Sequence, residues 1–318
     1  MPDRVLVTRE IPEAGLRVLE AFDVTVLHAR PPGRDELLEA VGGASGVLST
    51  ATETMDGEVM DAAGEALRVI ANMAVGYDNV DVAAATERGV IVTNTPGVLD
   101  ETTADVAFML LLAAARRLGE GERLLRAGEW EWWGPKQLTG PDVWGKKLGI
   151  VGFGRIGQCV ARRAKGFGME VLYHNRSRRE EAERELAASY LDLDELLETA
   201  DFVSIHTPLT DETNHLIGKA ELQRMKPEAV LVNTSRGPVV DEAALAEALA
   251  GGQIFAAGLD VYEDEPEVHP GLLELENVVL APHIGSASVE TRDRMAVLAA
   301  ENLSAVLRGE DPKTPVDA

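Results

Sequence analysis

The sequence predicts an α/β protein with parallel sheets, and three observations support this class. Short apolar runs alternate with helical patterns along the chain, as in successive βα units. One unit carries a glycine-rich turn, G-x-G-x-x-G, between its strand and its helix. A length of 318 residues is enough for two domains of ordinary size, each with its own core.

The first series of units fills the N-terminal third. The pattern predicts strands within 4–8, 24–28, 46–49, 68–71 and 90–94, and helices within 12–22, 34–41, 56–62 and 80–88. Residues 72–78 follow the fourth strand, at the end where ligands meet open α/β sheets. Their small side chains would expose backbone N–H groups to a carboxylate, although an ordinary turn explains the loop equally well.

A break at Thr95-Pro96-Gly97 marks a candidate domain boundary, because proline and glycine interrupt the alternation. A long helix is predicted after it, at 101–119. Thr102 and Thr103 near its start would either bind a phosphate or cap the helix.

The glycine-rich turn follows a predicted strand at 147–151. Gly152 permits the tight turn, Gly154 lets backbone amides approach a pyrophosphate, and Gly157 lets the next helix pack closely on the strand. The phosphates would lie at the helix N-terminus, where free N–H groups and the dipole favour an anion. A structural turn in an unrelated α/β protein is the alternative.

A second, larger sheet is predicted around this turn. Further strands fall within 171–174, 202–206, 229–233, 254–260 and 278–283, with helices at 193–199, 219–225 and 241–250. These strands indicate a parallel sheet of six or seven strands, complete enough to bind a dinucleotide. A final long helix at 288–308 is expected to return to the N-terminal domain.

Composition excludes several classes of function. The formal net charge of -24 argues against a nucleic-acid partner, which needs a basic surface. The longest apolar stretch, 106–115, is too short for a membrane helix, and the N-terminus shows no signal-peptide pattern. The single cysteine, Cys159, cannot form an intrachain disulfide, and we interpret it as a packed thiol in a cytoplasmic protein.

Three residues near strand ends suggest acid–base chemistry: Arg236, Glu265 and His283. A histidine delivers a proton near neutral pH, and a carboxylate beside it orients the ring. Arginine presents a planar charged fork to a carboxylate. Together they describe a site that grips a 2-oxo acid and protonates its carbonyl oxygen. Singly, they also fit a capping arginine, a solvated acidic loop and a structural histidine.

The series of motifs resembles the D-isomer-specific 2-hydroxyacid dehydrogenase family, and is most similar to its glyoxylate/hydroxypyruvate reductases. The motifs are NMAVGYDN at 72–79, GFGRIG at 152–157, HTPLT at 206–210, NTSRG at 233–237, GLDV at 258–261 and PHIGSA at 282–287. They cover nearly the whole chain.

The resemblance implies a role for each candidate residue. Arg236 would bind and polarise the 2-oxo acid, His283 would donate the proton, and Glu265 would be its partner. Val75 and Gly76 would offer backbone N–H groups to the substrate carboxylate. The implied cofactor contacts are Thr103, Gly152, Phe153, Gly154, Arg155, Ile156, Gly157, Asn175, Arg176, Ser177, Pro208, Thr234, Ser235 and, at the nicotinamide end, Asp260. No metal site is expected.

Cofactor choice follows from the end of the second strand of the larger sheet. An acidic residue about 20 residues beyond the glycines binds the ribose 2′-hydroxyl of NAD, whereas arginine suits the 2′-phosphate of NADP. Here Arg176 and Ser177 stand in that region, with Arg178 as a further candidate, and no acidic residue precedes Glu180. We predict a preference for NADPH. Solvent-facing arginines in an enzyme that uses NADH are the alternative.

The resemblance also implies the domain arrangement. Two Rossmann-like domains are expected, with the dinucleotide-binding domain (99–285) inserted into an outer substrate domain (1–98 plus 286–318). A homodimer is usual in this family. Trp132 and Trp133, in a tryptophan-rich segment that favours an interface over a core, resemble a segment that reaches over the partner's substrate pocket.

The predicted function is the NAD(P)H-dependent reduction of glyoxylate and hydroxypyruvate to glycolate and D-glycerate. Phosphoglycerate dehydrogenase is a rival, although its longer forms carry a regulatory domain for which no residues remain. Formate dehydrogenase is disfavoured because that branch has glutamine where this chain has Glu265. A nucleotide-sensing binding protein, such as a transcriptional corepressor, is the alternative from another class.

Overall fold

The computed structural model describes residues 2–316. The chain divides into two compact units, one made of Met1–Leu99 with Ser286–Ala318 and the other of Asp100–Gly285. We call the first the split unit and the second the inserted unit. Both are built on parallel sheets, so the predicted α/β class is confirmed.

The split unit contains a five-stranded parallel sheet in the order β2-β1-β3-β4-β5. Its strands are β1 (Arg4–Val7), β2 (Asp23–Val26), β3 (Gly46–Ser49), β4 (Val69–Asn72) and β5 (Ile91–Thr93). Its helices are α1 (Glu13–Val18), α2 (Arg34–Val41), α3 (Gly57–Ala63), α4 (Val82–Glu87) and α13 (Val289–Leu307).

The last helix, α13, returns to the N-terminal residues, as predicted. It packs on α1 so closely that a Cβ added to Gly15 would lie 2.8 Å from the Cβ of Ala296. Leu303 packs against Gly46 of β3 in the same way, since a Cβ there would lie 3.2 Å from the leucine Cγ. Small residues at these contacts let the C-terminal helix complete the core of the split unit.

The inserted unit contains a seven-stranded parallel sheet in the order β12-β11-β10-β9-β6-β7-β8. Its strands are β6 (Lys147–Val151), β7 (Glu170–His174), β8 (Ala188–Tyr190), β9 (Phe202–Ile205), β10 (Val230–Asn233), β11 (Ala256–Leu259) and β12 (Val278–Leu280). Its helices are α5 (Asp100–Ala115), α6 (Leu118–Ala127), α7 (Arg155–Gly166), α8 (Glu180–Leu186), α9 (Leu193–Thr199), α10 (Lys219–Arg224), α11 (Glu242–Ala250) and α12 (Pro270–Leu273).

Helices cover both faces of this sheet. Phe202 and Val232 belong to one buried cluster with α5 and α7, while their neighbours Val203 and Leu231 belong to another with α9 and α11. Successive side chains of a strand point to opposite faces, so a doubly covered sheet requires continuous apolar strands. This explains the unbroken apolar runs in the sequence.

Several details of the predicted elements were wrong. The helix expected at 101–119 ends at Ala115, because Arg117 adopts a left-handed conformation (φ 51°), and a second helix, α6, begins at Leu118. Helices α8 and α12 and strand β8 were also not predicted from the sequence. Helix α8 reads EEAEREL and buries only Ala182 and Leu186, so its apolar pattern is too sparse to detect.

None of the helices within residues 2–316 combines the length and apolarity needed to cross a membrane. In the same residues, no three His, Cys, Asp or Glu side chains come together as a metal ion would require.

Candidate active site

The glycine-rich turn connects β6 to α7, and its glycines have three different surroundings. Gly152 has φ 95°, and a Cβ on it would lie 2.6 Å from the carbonyl carbon of His206. A Cβ on Gly157 would lie 2.3 Å from the Gly152 oxygen, whereas a Cβ on Gly154 would meet nothing within 4 Å. Two glycines therefore permit close packing inside the protein, and the middle one leaves open space in front of the helix.

This open space lies at the N-terminus of a helix long enough to hold an anion. Helix α7 has 12 residues, begins at Arg155, and has Gly154 as its N-cap without a side-chain cap. The first backbone N–H groups of a helix have no partner within it, and the helix dipole favours negative charge there. The turn therefore has the chemistry of a pyrophosphate cradle.

The turn is joined to the end of β7. The Phe153 N–H donates to Asn175 Oδ1 (3.2 Å), and the Phe153 ring stacks on Tyr173 with 4.2 Å between ring centroids. The Asn175 amide nitrogen in turn donates to the Ser177 carbonyl (2.9 Å). Asn175 thus connects the turn to the residues that follow the strand.

Beyond Asn175, the candidate phosphate contacts differ in their surroundings. Arg176 and Ser177 are exposed. Arg178 forms two hydrogen bonds with Glu183, Nη2 to Oε2 at 2.7 Å and Nε to Oε1 at 3.0 Å. Those bonds, followed by one from Tyr173, lower the pKa of Glu183 to about 2. Arg178 is therefore already engaged by a protein carboxylate.

Buried polar atoms near the carboxyl ends of β9 and β10 suit a polar ligand. Within residues 2–316, His206 Nδ1, Thr207 Oγ1 and Thr234 Oγ1 are buried and form no hydrogen bond. Unpaired buried polar atoms are costly and mark a place where a partner is expected. With the open turn at Gly154, they fit a nicotinamide dinucleotide. Sequence reasoning proposed Thr234 but missed the side chains of His206 and Thr207, which lie in the HTPLT motif.

The remaining implied cofactor contacts lie in the same unit. Thr103 is buried in the first turn of α5, near Gly285. Pro208 is exposed just past β9, and its carbonyl accepts from Thr213 Oγ1 (2.7 Å). Ser235 donates through its backbone N–H and its hydroxyl to Asn233 Oδ1.

The histidine and the acid of the predicted pair are in direct contact. His283 Nδ1 lies 2.7 Å from Glu265 Oε2, and the side chains are 37% and 27% exposed. The second carboxylate oxygen, Glu265 Oε1, accepts the Tyr262 N–H (3.1 Å). The carboxylate thus fixes the ring while Nε2, the other ring nitrogen, is left for chemistry.

Asp260 holds the turn that presents His283. It is 1% exposed, and its two oxygens accept the N–H groups of Ile284 and Gly285, each at 2.7 Å. The His283 N–H donates to the Asp260 carbonyl (2.9 Å), and His283 itself has φ 51°. Burial raises the pKa of the Asp260 carboxyl. Asp260 therefore acts on the histidine through the backbone.

Arg236 follows β10 and lies beside the loop that carries Glu265. Its carbonyl accepts from Asn233 Nδ2 (2.8 Å), and its backbone is extended. A Cβ on Gly237 would lie only 1.8 Å from the Tyr262 carbonyl carbon. Because β10, β11 and β12 are neighbours, the loops after them meet, and the structure brings the three predicted residues into one corner of the inserted unit.

The loop with Glu265 is braced by residues that sequence reasoning missed. Glu263 N–H donates to Glu242 Oε1 (2.9 Å), and Glu242 N–H donates back to Glu263 Oε1 (3.0 Å). The Tyr262 hydroxyl donates to the Ala281 carbonyl (2.9 Å), two residues before His283. Glu242 is buried at the start of α11, which raises its pKa. In the sequence, Glu242 looks like an ordinary acidic residue in the first turn of a helix.

The Val75–Gly76 loop lies in the split unit, at the carboxyl end of β4. Its carbonyl groups are used internally: Val75 O accepts from Asn94 Nδ2 (2.7 Å) and Gly76 O from Asn72 Nδ2 (2.9 Å). Within the part of the chain that the structure describes, the N–H groups of Val75 and Gly76 have no acceptor. The loop therefore presents the donors that a carboxylate needs.

Two further predictions concern side chains outside these loops. Trp130, Trp132 and Trp133 are 50%, 69% and 75% exposed, which excludes the core alternative for this segment. Cys159 is buried, and burial together with a hydrogen bond to Glu101 raises the pKa of its thiol to about 11. The interpretation of Cys159 as a packed thiol is confirmed.

Comparison with known proteins agrees with this geometry. Residues 108–285 match the sequence model of a family described as D-isomer specific 2-hydroxyacid dehydrogenase, NAD binding domain. The glyoxylate reductase of Korarchaeum cryptofilum is 55% identical, over 100% of this chain and 96% of that protein.

Solved structures agree as well. A Thermus thermophilus protein that is 50% identical superposes with a TM-score of 0.93, over 99% of this chain and 100% of that chain. The NADPH-dependent glyoxylate/hydroxypyruvate reductase of Sinorhizobium meliloti, in complex with NADP and malonate, is 37% identical with a TM-score of 0.85, over 99% of this chain and 97% of that chain. The chain therefore belongs to the D-isomer specific 2-hydroxyacid dehydrogenase family.

Proposed function

We propose that this chain reduces glyoxylate and hydroxypyruvate with a reduced nicotinamide dinucleotide. The observation that carries the proposal is the contact between His283 and Glu265, 2.7 Å, beside the loop of Arg236. A 2-oxo acid needs one cation for its carboxylate and carbonyl and one proton donor for its carbonyl oxygen, and this corner holds both. The glyoxylate reductase relative supports glyoxylate as the substrate.

Each residue of the corner has a separate task in this proposal. The Arg236 guanidinium binds the oxo acid and polarises its carbonyl. His283 donates the proton from Nε2 to the carbonyl oxygen, and Glu265 keeps the ring oriented through Nδ1. For the split unit, the proposed task of the Val75–Gly76 loop is to offer its backbone N–H groups to a carboxylate. When bound, the cofactor supplies the hydride that reaches the carbonyl carbon.

The cofactor of this proposal is held by the glycine-rich turn and by the residues after β7. Backbone N–H groups from Gly154 onward bind the pyrophosphate. Arg176 and Ser177, both exposed, contact the 2′-phosphate and favour NADPH over NADH. The Sinorhizobium meliloti relative, described as NADPH-dependent, supports this preference.

A homodimer completes the proposal. Leu118 and Leu125 on α6 are 62% and 60% exposed, and Trp132 and Trp133 follow on the same segment. Large exposed apolar side chains in series are typical of a protein–protein interface. Trp133 would then reach the substrate pocket of the partner subunit. A cytoplasmic location agrees with the single, buried cysteine, which forms no disulfide among the described residues.

A spectrophotometric screen tests the proposal. Glyoxylate, hydroxypyruvate and phosphohydroxypyruvate are each offered with NADH and with NADPH, and oxidation is followed at the nicotinamide absorbance band. We expect the highest kcat/KM with glyoxylate and NADPH. Turnover of phosphohydroxypyruvate alone would identify a phosphoglycerate dehydrogenase, and cofactor binding without turnover would identify a binding protein.

A further inference from the structure

Arg178 is engaged by an ion pair with Glu183. The guanidinium and carboxylate make two hydrogen bonds, at 2.7 and 3.0 Å, with the two groups side by side. The same guanidinium lies 5.6 Å from the centre of the Tyr190 ring. Two parallel N–H···O bonds give such a pair both strength and a fixed geometry.

Glu183 is itself fixed from the side of the protein core. Its carboxylate accepts the hydroxyl of Tyr173, and that hydroxyl accepts the N–H of Arg179 (2.8 Å). Tyr173 is fully buried and stacks on Phe153 of the glycine-rich turn. The Glu183 side chain is only 14% exposed, against 58% for Arg178. The carboxylate is therefore the fixed partner and the arginine is the one it restrains.

Arg176 is in a different state. It is exposed, and within residues 2–316 it has no carboxylate within ion-pair distance. Its charge makes only a minor contribution to the low pKa of Glu212, behind a hydrogen bond from Thr210. Of the two arginines considered as 2′-phosphate contacts, Arg178 is paired with a protein carboxylate and Arg176 is not.

We infer that Glu183 determines how strongly this enzyme prefers NADPH, by withholding Arg178 from the cofactor's 2′-phosphate. The inference rests on the proposed cofactor site at the end of β7. A 2′-phosphate bound there can pair with Arg176 directly. To pair with Arg178, it must compete with the fixed Glu183 carboxylate. Glu183 thus keeps the preference for NADPH moderate and leaves room for NADH.

The experiment measures binding of cofactor fragments by calorimetry, without any turnover. The probes are 2′,5′-ADP, which carries the 2′-phosphate, and 5′-AMP, which lacks it. The proteins are the wild type, Glu183→Gln, and Glu183→Gln combined with Arg178→Gln. Glutamine keeps an acceptor for Tyr173 but removes the charge. Glu181→Gln is the control, because it removes the same charge from an exposed position of α8 that makes no ion pair with Arg178.

Glu183→Gln is expected to tighten 2′,5′-ADP binding about three- to tenfold, the range for freeing one partly exposed charge, and to leave 5′-AMP unchanged. Adding Arg178→Gln should abolish the gain, and Glu181→Gln should show none. Unchanged or weaker 2′,5′-ADP binding in Glu183→Gln overturns the inference, as does a gain that survives removal of Arg178.

A second pair of variants tests the inference in the wild-type background, where Glu183 is intact. Arg176→Gln should remove most of the discrimination between the two probes, and Arg178→Gln should lower it less, through the repulsion between the 2′-phosphate and the Glu183 carboxylate that has lost its partner. Equal losses from the two substitutions overturn the inference. These outcomes are separate from the proposed reaction, which fails only if the wild type does not reduce glyoxylate.

Discussion

The seven-stranded sheet carries candidate ligand-binding residues in two regions, one at β6 and β7 and the other at β10, β11 and β12. The residues of these two regions are arranged differently along the chain. On the β6–β7 side, the turn at Gly152–Gly157 and the residues Asn175–Arg178 belong to one continuous strand–turn–helix–strand unit. On the β10–β12 side, Arg236, Glu265 and His283 come from three separate loops that meet because their strands are neighbours. The first region is set by local backbone geometry, and the second depends on contacts between distant segments.

This difference affects how each region should respond to substitution. In the local region, cofactor binding depends on the free space beside the backbone of the glycines. Adding a single methyl group is therefore the informative change. In the assembled region, side-chain chemistry decides function, and the supporting contacts of Glu242, Tyr262 and Asp260 keep three loops in register. Substitutions in the two regions should therefore separate effects on cofactor binding from effects on catalysis.

The largest effect is expected from His283→Asn. Asparagine tolerates the left-handed backbone at this position (φ 51°) but cannot donate the proton, so kcat should fall about 10²- to 10⁴-fold. Cofactor affinity, measured by fluorescence of bound NADPH, should stay nearly unchanged. His28→Asn, at an exposed position of the split unit, is the matched control. A parallel loss of cofactor affinity would mean that His283 has a structural role.

Arg236→Gln should come next. Removing the charge should lower kcat/KM for glyoxylate about 10²- to 10³-fold, chiefly through a higher KM, because the oxo acid loses its cation and its carbonyl loses polarisation. Steady-state kinetics with varied glyoxylate at saturating cofactor measure this. Arg17→Gln, on the exposed surface of α1, should have no effect. Unchanged catalytic efficiency in Arg236→Gln would refute the assigned role.

The glycines of the turn allow the local region to be tested with one methyl group at two positions. Gly157→Ala places a Cβ 2.3 Å from the Gly152 oxygen and should lower the free energy of unfolding by about 1–3 kcal/mol. Gly154→Ala, where the Cβ has open space, should leave unfolding unchanged and weaken NADPH binding. Urea unfolding and a binding titration on both variants check this. Equal effects on stability would contradict the separate roles of the two glycines.

The smallest effect is the loss of stability over the first pH unit below 6.5, and it originates at His206. Burial lowers the pKa of this histidine from 6.5 to about 3 in the folded protein. Between these values the unfolded chain binds the proton and the folded protein does not, so the contribution is complete above pH 6.5 and is lost as the pH falls towards 3. The loss is at most about 1.4 kcal/mol per pH unit for one proton.

Urea unfolding of the wild type and of His206→Gln, measured from pH 7 downward, isolates the contribution of His206 to the free energy of unfolding. All other groups titrate in both proteins, so their contributions cancel in the difference. The wild type should lose stability relative to the variant as the pH falls below about 6.5. Parallel curves for the two proteins would show that His206 is not desolvated in the folded state.

Much of the fold was predictable because strands buried on both faces give apolar runs that stand out from their surroundings. Most of the β and α elements and the larger sheet were predicted in this way, whereas α8, β8 and α12 were not. The failures were at α8, whose charged sequence buries two residues, and at Arg117, where a left-handed backbone divides the expected helix. Neither leaves a periodic apolar signal.

By itself, the sequence determined the α/β class, the glycine-rich turn and the identity of the candidate catalytic and cofactor-binding residues. These depend on hydrophobic periodicity and on conformations that only particular residues adopt, and both are local properties. Only the tertiary structure decided that Glu265 lies 2.7 Å from His283, that Arg178 is held by Glu183, and that Glu242 braces the loop of Glu265. Such contacts join distant residues, and their distances are fixed by the packing of β10, β11 and β12 and of α8 against the sheet.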